Sequence, residues 1–184
     1  MAITTYDDIS NAGLIEGQIY SAEGATKIRT GFNAEASTII PAGFAVCRAA
    51  DSVAEDSTKN IPLILPADAN SIFAGIALLP VGIEKRSGYS LDTNNRFGYP
   101  VNYEVAYLVQ GTIAVPVDDT VAYGDPVFWR HATTGDELAG MFRMDNDGGS
   151  DAVQIGGIDT CKFVSDAIGT AANPAIALVS INIA

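Results

Sequence analysis

The stretch Val101-Asn102-Tyr103-Glu104-Val105-Ala106-Tyr107-Leu108-Val109-Gln110-Gly111-Thr112-Ile113-Ala114-Val115-Pro116-Val117-Asp118 decides the fold. Every odd position in it is apolar except Gly111, while the even positions mix Asn, Glu, Gln, Thr and Asp with small or apolar residues. Alternation with period two gives one buried face and one more polar face, which is the pattern of a β-strand. The run is too long for one ordinary strand. Gly111 is therefore expected to mark a bulge or bend where the strand turns a barrel corner.

Outward from that strand, the same pattern marks further strands at 14–21, 38–40, 44–48, 61–65, 73–80, 126–130, 138–144, 153–158 and 175–183. Turn-formers separate them: Pro41-Ala42-Gly43, Thr93-Asn94-Asn95, Tyr123-Gly124-Asp125 and Asn146-Asp147-Gly148-Gly149. Only 49–56 and 66–71 have the composition for a helical turn or two. Many short strands at this spacing predict an all-β fold, a compact β-barrel or jelly-roll-like sandwich with long loops. Residues 14–184 are expected to form a single β domain. Within it, Ile40-Pro41-Ala42-Gly43-Phe44-Ala45-Val46 resembles Val121-Ala122-Tyr123-Gly124-Asp125-Pro126-Val127, and Leu14-Ile15-Glu16-Gly17-Gln18-Ile19 resembles Leu108-Val109-Gln110-Gly111-Thr112-Ile113. Either two related halves, about 14–100 and 101–184, share one barrel, or strand-turn-strand units simply look alike.

The 184 residues suit one domain or two closely packed halves. A chain of this size buries roughly 70% of its unfolded surface, so a core forms without metals or disulfides. Charged residues make up only 17%. That low share means either a large core or a weakly polar surface covered by another copy or a partner. Net charge is −12, from 22 acidic and 10 basic residues, with a pI near 4.2. Such a chain repels phosphate backbones, so nucleic-acid binding is not expected. The excess acid keeps a protein displayed at high density soluble. No basic leader followed by an apolar run is visible, and no run reaches the ~18 apolar residues of a membrane span. Cys47 and Cys161 sit among apolar residues, as buried thiols of a protein folded in a reducing cytosol do; spacing cannot say whether they pair.

Groups able to carry chemistry are scarce. His131 is the only histidine, at a strand end after Trp129-Arg130, and no Gly-x-Ser-x-Gly turn exists. One histidine and two separated cysteines do not make an ordinary zinc site. Asp7-Asp8 and Asp118-Asp119 are adjacent pairs whose side chains point to opposite faces of a strand, so they read as solvated loop charges rather than paired catalytic carboxylates. Asp145, Asp147 and Asp151, on a tight Gly turn, are a calcium candidate. Against it, glycine falls at the fourth loop position and no glutamate closes the loop, so the alternative is an ordinary Asp/Gly hairpin. No cofactor and no enzymatic activity are expected. Lys85, Arg86 and Arg96 flank a hairpin-like stretch, 87–95, and offer cations to an acidic partner surface. Tyr89, Phe97, Tyr99, Tyr103 and Tyr107 make this the most aromatic region, suited to a core or to a subunit interface.

In order, Ile40-Pro41-Ala42-Gly43-Phe44-Ala45-Val46, Phe73-Ala74-Gly75-Ile76-Ala77, the run from Glu104 to Val115, and Tyr123-Gly124-Asp125-Pro126-Val127-Phe128-Trp129 resemble small capsid decoration, or cement, proteins of tailed bacteriophages. The resemblance spans roughly 38–130, and the order of four motifs carries it, since each alone is generic. It implies a structural virion protein, made in the bacterial host cytoplasm, that binds the outer surface of the expanded capsid and bridges capsomers. Its partners would be the major capsid protein and itself, as a homotrimer or a dimer. Residues 1–13, with isolated Ile3, Tyr6 and Ile9, read as an extended N-terminal arm that orders on docking. Contacts to capsid or subunit are expected from Ile3, Tyr6, Ile9, Lys85, Arg86, Arg96 and Trp129. The alternatives are a carbohydrate-binding β domain, with Trp129 and Tyr123 as an aromatic platform, or a tail or fibre component.

Overall fold

The computed structural model describes residues 14–20, 26–49, 61–80, 96–149, 151–157 and 160–183. In chain order these form β1 (Lys27–Asn33), β2 (Ile40–Pro41), β3 (Ala45–Arg48), β4 (Ile61–Ile64), β5 (Ile72–Ala77), β6 (Gly98–Tyr99), β7 (Glu104–Val117), β8 (Thr120–Val121), β9 (Phe128–Arg130), β10 (Phe142–Arg143), β11 (Ala152–Gln154), β12 (Cys161–Phe163), β13 (Ala167–Ile168) and β14 (Ala175–Asn182). The fold is all-β, as the alternating patterns predict.

Strand β7 organises it. Its first half runs antiparallel to β1, from Glu104 opposite Phe32 to Gln110 opposite Lys27. Its second half runs antiparallel to β14, from Gln110 opposite Asn182 to Val117 opposite Ala175. The exchange of partners falls at Gly111, whose φ of +134° favours glycine. This is the bend that the interrupted alternation predicts.

Two closed rings of strands share β7. In the first, β1 lies parallel to β4, and the contacts β4–β3, β3–β5, β5–β7 and β7–β1 are antiparallel. In the second, β7 lies parallel to β10, followed by antiparallel contacts of β10 with β9 and of β9 with β11. On its other side, β7 pairs β14 and β14 pairs β12. Pro126 bridges Lys162. Beside that bridge, the Gly124 N–H donates to the Phe163 carbonyl at 2.9 Å and the Phe163 N–H donates to the Asp125 carbonyl at 3.0 Å. That seam closes the second ring. Closure removes the exposed edges that an open sheet would present. A short ribbon accompanies each ring, β2 with β6 and β8 with β13. The similar stretches 40–46 and 121–127 each begin at a short strand, β2 and β8, and run through the turn that follows it.

Sharing a strand between two rings changes which faces are buried. Val105, Tyr107 and Val109 join one apolar cluster, with Val46, Leu63 and Tyr99. Past Gly111, Ile113, Val115 and Val117 join another, with Trp129, Phe142 and Phe163, and Leu108 from the opposite face joins that same cluster. The expected polar face of β7 is therefore largely covered, because protein packs on both sides of it. Cys47 and Cys161 are buried free thiols within this second cluster. Burial pushes both up to about 12, with Asp68 adding to the rise at Cys47. A thiol-specific chromogenic reagent should leave both unreacted in native buffer and titrate both in denaturant; rapid native labelling would contradict this packing.

Several sequence expectations need correction. Strand β1 lies where the pattern implies a loop, because its first four residues are exposed and only Gly31 and Asn33 are buried. A Cβ at Gly31 would collide with the Ile61 carbonyl and the Leu63 side chain, so glycine there permits the parallel contact with β4. Residues 14–20 form a turn with one bridge, Ile19 to Ile113, rather than a full strand. Residues 66–71 are not helical: the Ala67 and Asp68 N–H groups donate to Ser71 Oγ at 3.2 Å, and the Asn70 N–H donates to Asp68 Oδ1 at 2.8 Å. Such local side-chain acceptors compete with helix formation. The other helical candidate, 49–56, and the arm, 1–13, lie outside the described residues apart from Ala49.

Candidate functional site

The turn at 15–18 closes with the Gln18 N–H donating to the Ile15 carbonyl at 3.0 Å. It is pinned on two sides: the Gly17 N–H donates to the Ala114 carbonyl, and the Leu79 N–H donates to the Gly17 carbonyl, both at 2.8 Å. Gly17 adopts φ +76°, and a Cβ there would lie 2.5 Å from the Leu79 nitrogen and 2.9 Å from the Gly43 nitrogen. Only glycine fits between these backbones. Nearby, the Ala42 N–H donates to the Phe97 carbonyl at 2.8 Å, which fixes the strand entering β6.

These constraints build a groove of about 270 Å³ lined by Leu14, Ile15, Leu79, Arg96, Phe97 and Ile176 among others. Ile15 is 51% exposed and Phe97 56%, so the groove presents apolar surface to its surroundings. Leu14 follows residues 1–13, while Leu79 and Arg96 closely bracket 81–95. The two segments from which the sequence predicts contacts thus attach at one place. Ile3, Tyr6, Ile9, Lys85 and Arg86 themselves lie outside the described residues.

Arg96 plays a different part from the one its charge implies. Its guanidinium lies 5.2 Å from the Phe44 ring centroid and 3.8 Å from Glu16, with the side chain only 13% exposed. It stiffens the groove wall through cation–π and ionic contact rather than projecting outward. Trp129 is a larger correction. It is 2% exposed, stacks on Phe73 at 6.4 Å between centroids, and meets His131 edge-on at 6.0 Å. A tryptophan enclosed this way offers no platform to a sugar ring.

The acidic residues are also placed differently from solvated loop charges. Arg130, with a fully buried side chain, pairs with Asp118 at 2.8 Å, Asp147 at 2.8 Å and Glu137 at 3.0 Å. Arg143 pairs with Asp145 at 2.9 Å, Asp147 at 3.1 Å and Asp119 at 3.5 Å. Asp145 and Asp147, two of the calcium candidates, therefore direct their oxygens at guanidinium groups. Asp151 faces this region through its carbonyl, which accepts the His131 N–H at 2.9 Å. Among the described residues no group of acidic, histidine or cysteine side chains has the geometry to hold a metal ion. The Asp147 N–H, donating to Asp145 Oδ1 at 2.9 Å, holds the Asp145 carboxyl below the usual carboxylate range. Burial pushes the Asp118 carboxyl up, against the opposing pull of Arg130. Neighbouring Asp118 and Asp119 do diverge, but each meets an arginine from an adjoining strand.

The sequence does not mark the groove, because Ile15 reads there as one more strand residue. The signal available was Gly17 directly after a pair of large apolar residues, Leu14-Ile15. Fold and site together define a double-ringed β protein with an exposed apolar groove beside the Gly17 turn. The profile of the family described as structural cement protein (E217 gp24/Pam3 gp6) matches residues 4–182, and the chain belongs to that family. Membership makes it a capsid-associated structural protein of a phage. A solved structure described as the capsid of Myoviridae Phage XM1 contains a chain of similar fold, with a TM-score of 0.57 and 24% identity over 92% of this chain and 90% of that one. No curated protein matches the sequence.

Proposed function

We propose that the protein binds the outer surface of the expanded phage capsid and stabilises the shell by bridging capsomers, acting as a homotrimer or, failing that, a dimer. One observation beyond family membership carries this reading. The apolar groove sits where both predicted contact segments, 1–13 and 81–95, attach. An exposed apolar patch on a chain of net charge −12 fits a surface covered by a partner. The mechanism is mass action: a subunit with affinity only for the expanded shell stabilises that state by its binding free energy, summed over many copies. Purified protein should co-sediment with expanded shells and not with unexpanded ones. Equal binding to both, or to neither, would overturn the reading.

A further inference from the structure

The two rings repeat each other, register by register. Thr30 faces Ala106 across β1 and β7, and Ala114 faces Leu178 across β7 and β14. Asn33 lies parallel to Leu63, and Val117 lies parallel to Phe142. Arg48 faces Leu63 while Cys47 faces Ile64; Trp129 faces Phe142 while Phe128 faces Arg143. The hydrogen bonds beside these ladders recur as well. The Gly43, Ala77 and Leu78 N–H groups donate to the Ala77, Phe44 and Ala106 carbonyls. In the second ring the Gly124, Phe163 and Val164 N–H groups donate to the Phe163, Asp125 and Leu178 carbonyls. Gly43 thus matches Gly124, with φ of +79° and +91°, and Ala42 matches Tyr123. The ribbons match too, Ile40 facing Tyr99 in β2–β6 and Val121 facing Ala167 in β8–β13.

Beside the first ribbon, Ala42 lines the apolar groove. Beside the second, Tyr123 is 63% exposed, and Ile168, in β13, is 83% exposed. The Tyr123 N–H donates to Asp166 Oδ1 at 2.7 Å, which holds Tyr123 next to the strand that carries Ile168. Two large apolar side chains this exposed on one ribbon contribute nothing to the core and mark a contact surface. The patch adjoins the groove. A Cβ on Gly169 would lie 3.1 Å from the Ala175 nitrogen, and the next residue, Ile176, lines the groove.

We propose that the β8–β13 ribbon, through Tyr123 and Ile168, is a second docking point for the capsid shell. It takes the same kind of apolar feature as the groove, from a neighbouring shell subunit. The proposal rests on the capsid-binding reading and deepens it. The internal repeat argues for this occupant: a shell presents one feature many times, and a chain that repeats its own contact element holds two adjacent copies of it. Two linked contacts attach far more tightly than either alone, and they join the subunits they hold.

The test compares wild type, Ile15→Ser, Tyr123→Ser/Ile168→Ser and the triple variant in co-sedimentation with expanded shells. Thermal melts and sedimentation velocity are run on each free protein. The ribbon variant should bind about tenfold or more weakly, and the triple variant should bind more weakly than either parent. Melting and oligomeric state should stay as in wild type, because both ribbon side chains are exposed. Ile168→Ser alone should show part of the loss and covers the case in which the double variant folds poorly. Wild type that does not bind overturns the capsid reading itself. Wild type that binds while the ribbon variants bind equally well overturns the second docking point alone. A change in oligomeric state with the ribbon substitutions assigns the patch to contact between copies and also overturns it.

Discussion

Replacing Arg130 by methionine should destabilise the protein by about 3–5 kcal/mol, the largest single-site effect expected in this molecule. The guanidinium pairs with Asp118 at 2.8 Å, and neither side chain is exposed. Removing it leaves a buried carboxylate without its counter-charge. Against a total stability of about 5–15 kcal/mol, that is a large fraction. A double variant, Arg130→Met/Asp118→Asn, should recover much of the loss, because removing both charges removes the uncompensated one. The pH dependence has a definite sign. The Asp118 carboxyl is already pushed up by burial despite Arg130. A carboxyl whose folded pKa lies above its unfolded value, about 3.9, opposes folding above that value, and the opposition eases as pH falls. Without Arg130 the upward shift grows, so the deficit of Arg130→Met should narrow on acidification. Urea melts at several pH values measure this, and a deficit that widens at low pH would contradict the account.

The second large effect is expected at Gly17→Val. Its φ of +76° strains a β-branched residue, and a Cβ would lie 2.5 Å from the backbone nitrogen of Leu79. Neither neighbour can move cheaply, since both are hydrogen-bonded backbone. A loss of about 2–3 kcal/mol follows from the combined strain and overlap. Because Gly17 holds the turn that carries Leu14 and Ile15, capsid binding should weaken beyond what the lower stability explains. An Ile15→Ser variant, with Ile15 51% exposed, separates the two: it should melt near wild type and bind less. Full binding by Ile15→Ser would remove the groove from the docking face.

The fold was legible where burial writes itself into alternation. Strands β7 and β14 lie fully within the expected strands 101–118 and 175–183, and Gly111 interrupts the alternation of the longer one. It was illegible where the side chains are exposed and polar: the first four residues of β1, Lys-Ile-Arg-Thr, face outward, and the strand is placed by backbone bonds to β4 and β7 and by the buried Asn33 amide, which donates to the Thr38 and Tyr99 carbonyls. The site was legible only as segments. Lys85, Arg86, Arg96 and the arm were picked out by composition, but their common point of attachment depends on pairings remote in sequence. The same limit explains Asp118 and Arg130, twelve residues apart, whose pairing needs β7, β9 and β10 brought side by side. Trp129 misled because tryptophan serves both cores and interfaces, and only packing against Phe73 distinguishes them.

Heating DNA-filled capsids with and without the protein tests the central claim most directly. Bound subunits should raise the temperature at which DNA escapes, and restoring purified protein to stripped particles should bring the higher temperature back. Identical release temperatures, with binding verified on the same particles, would contradict a stabilising role.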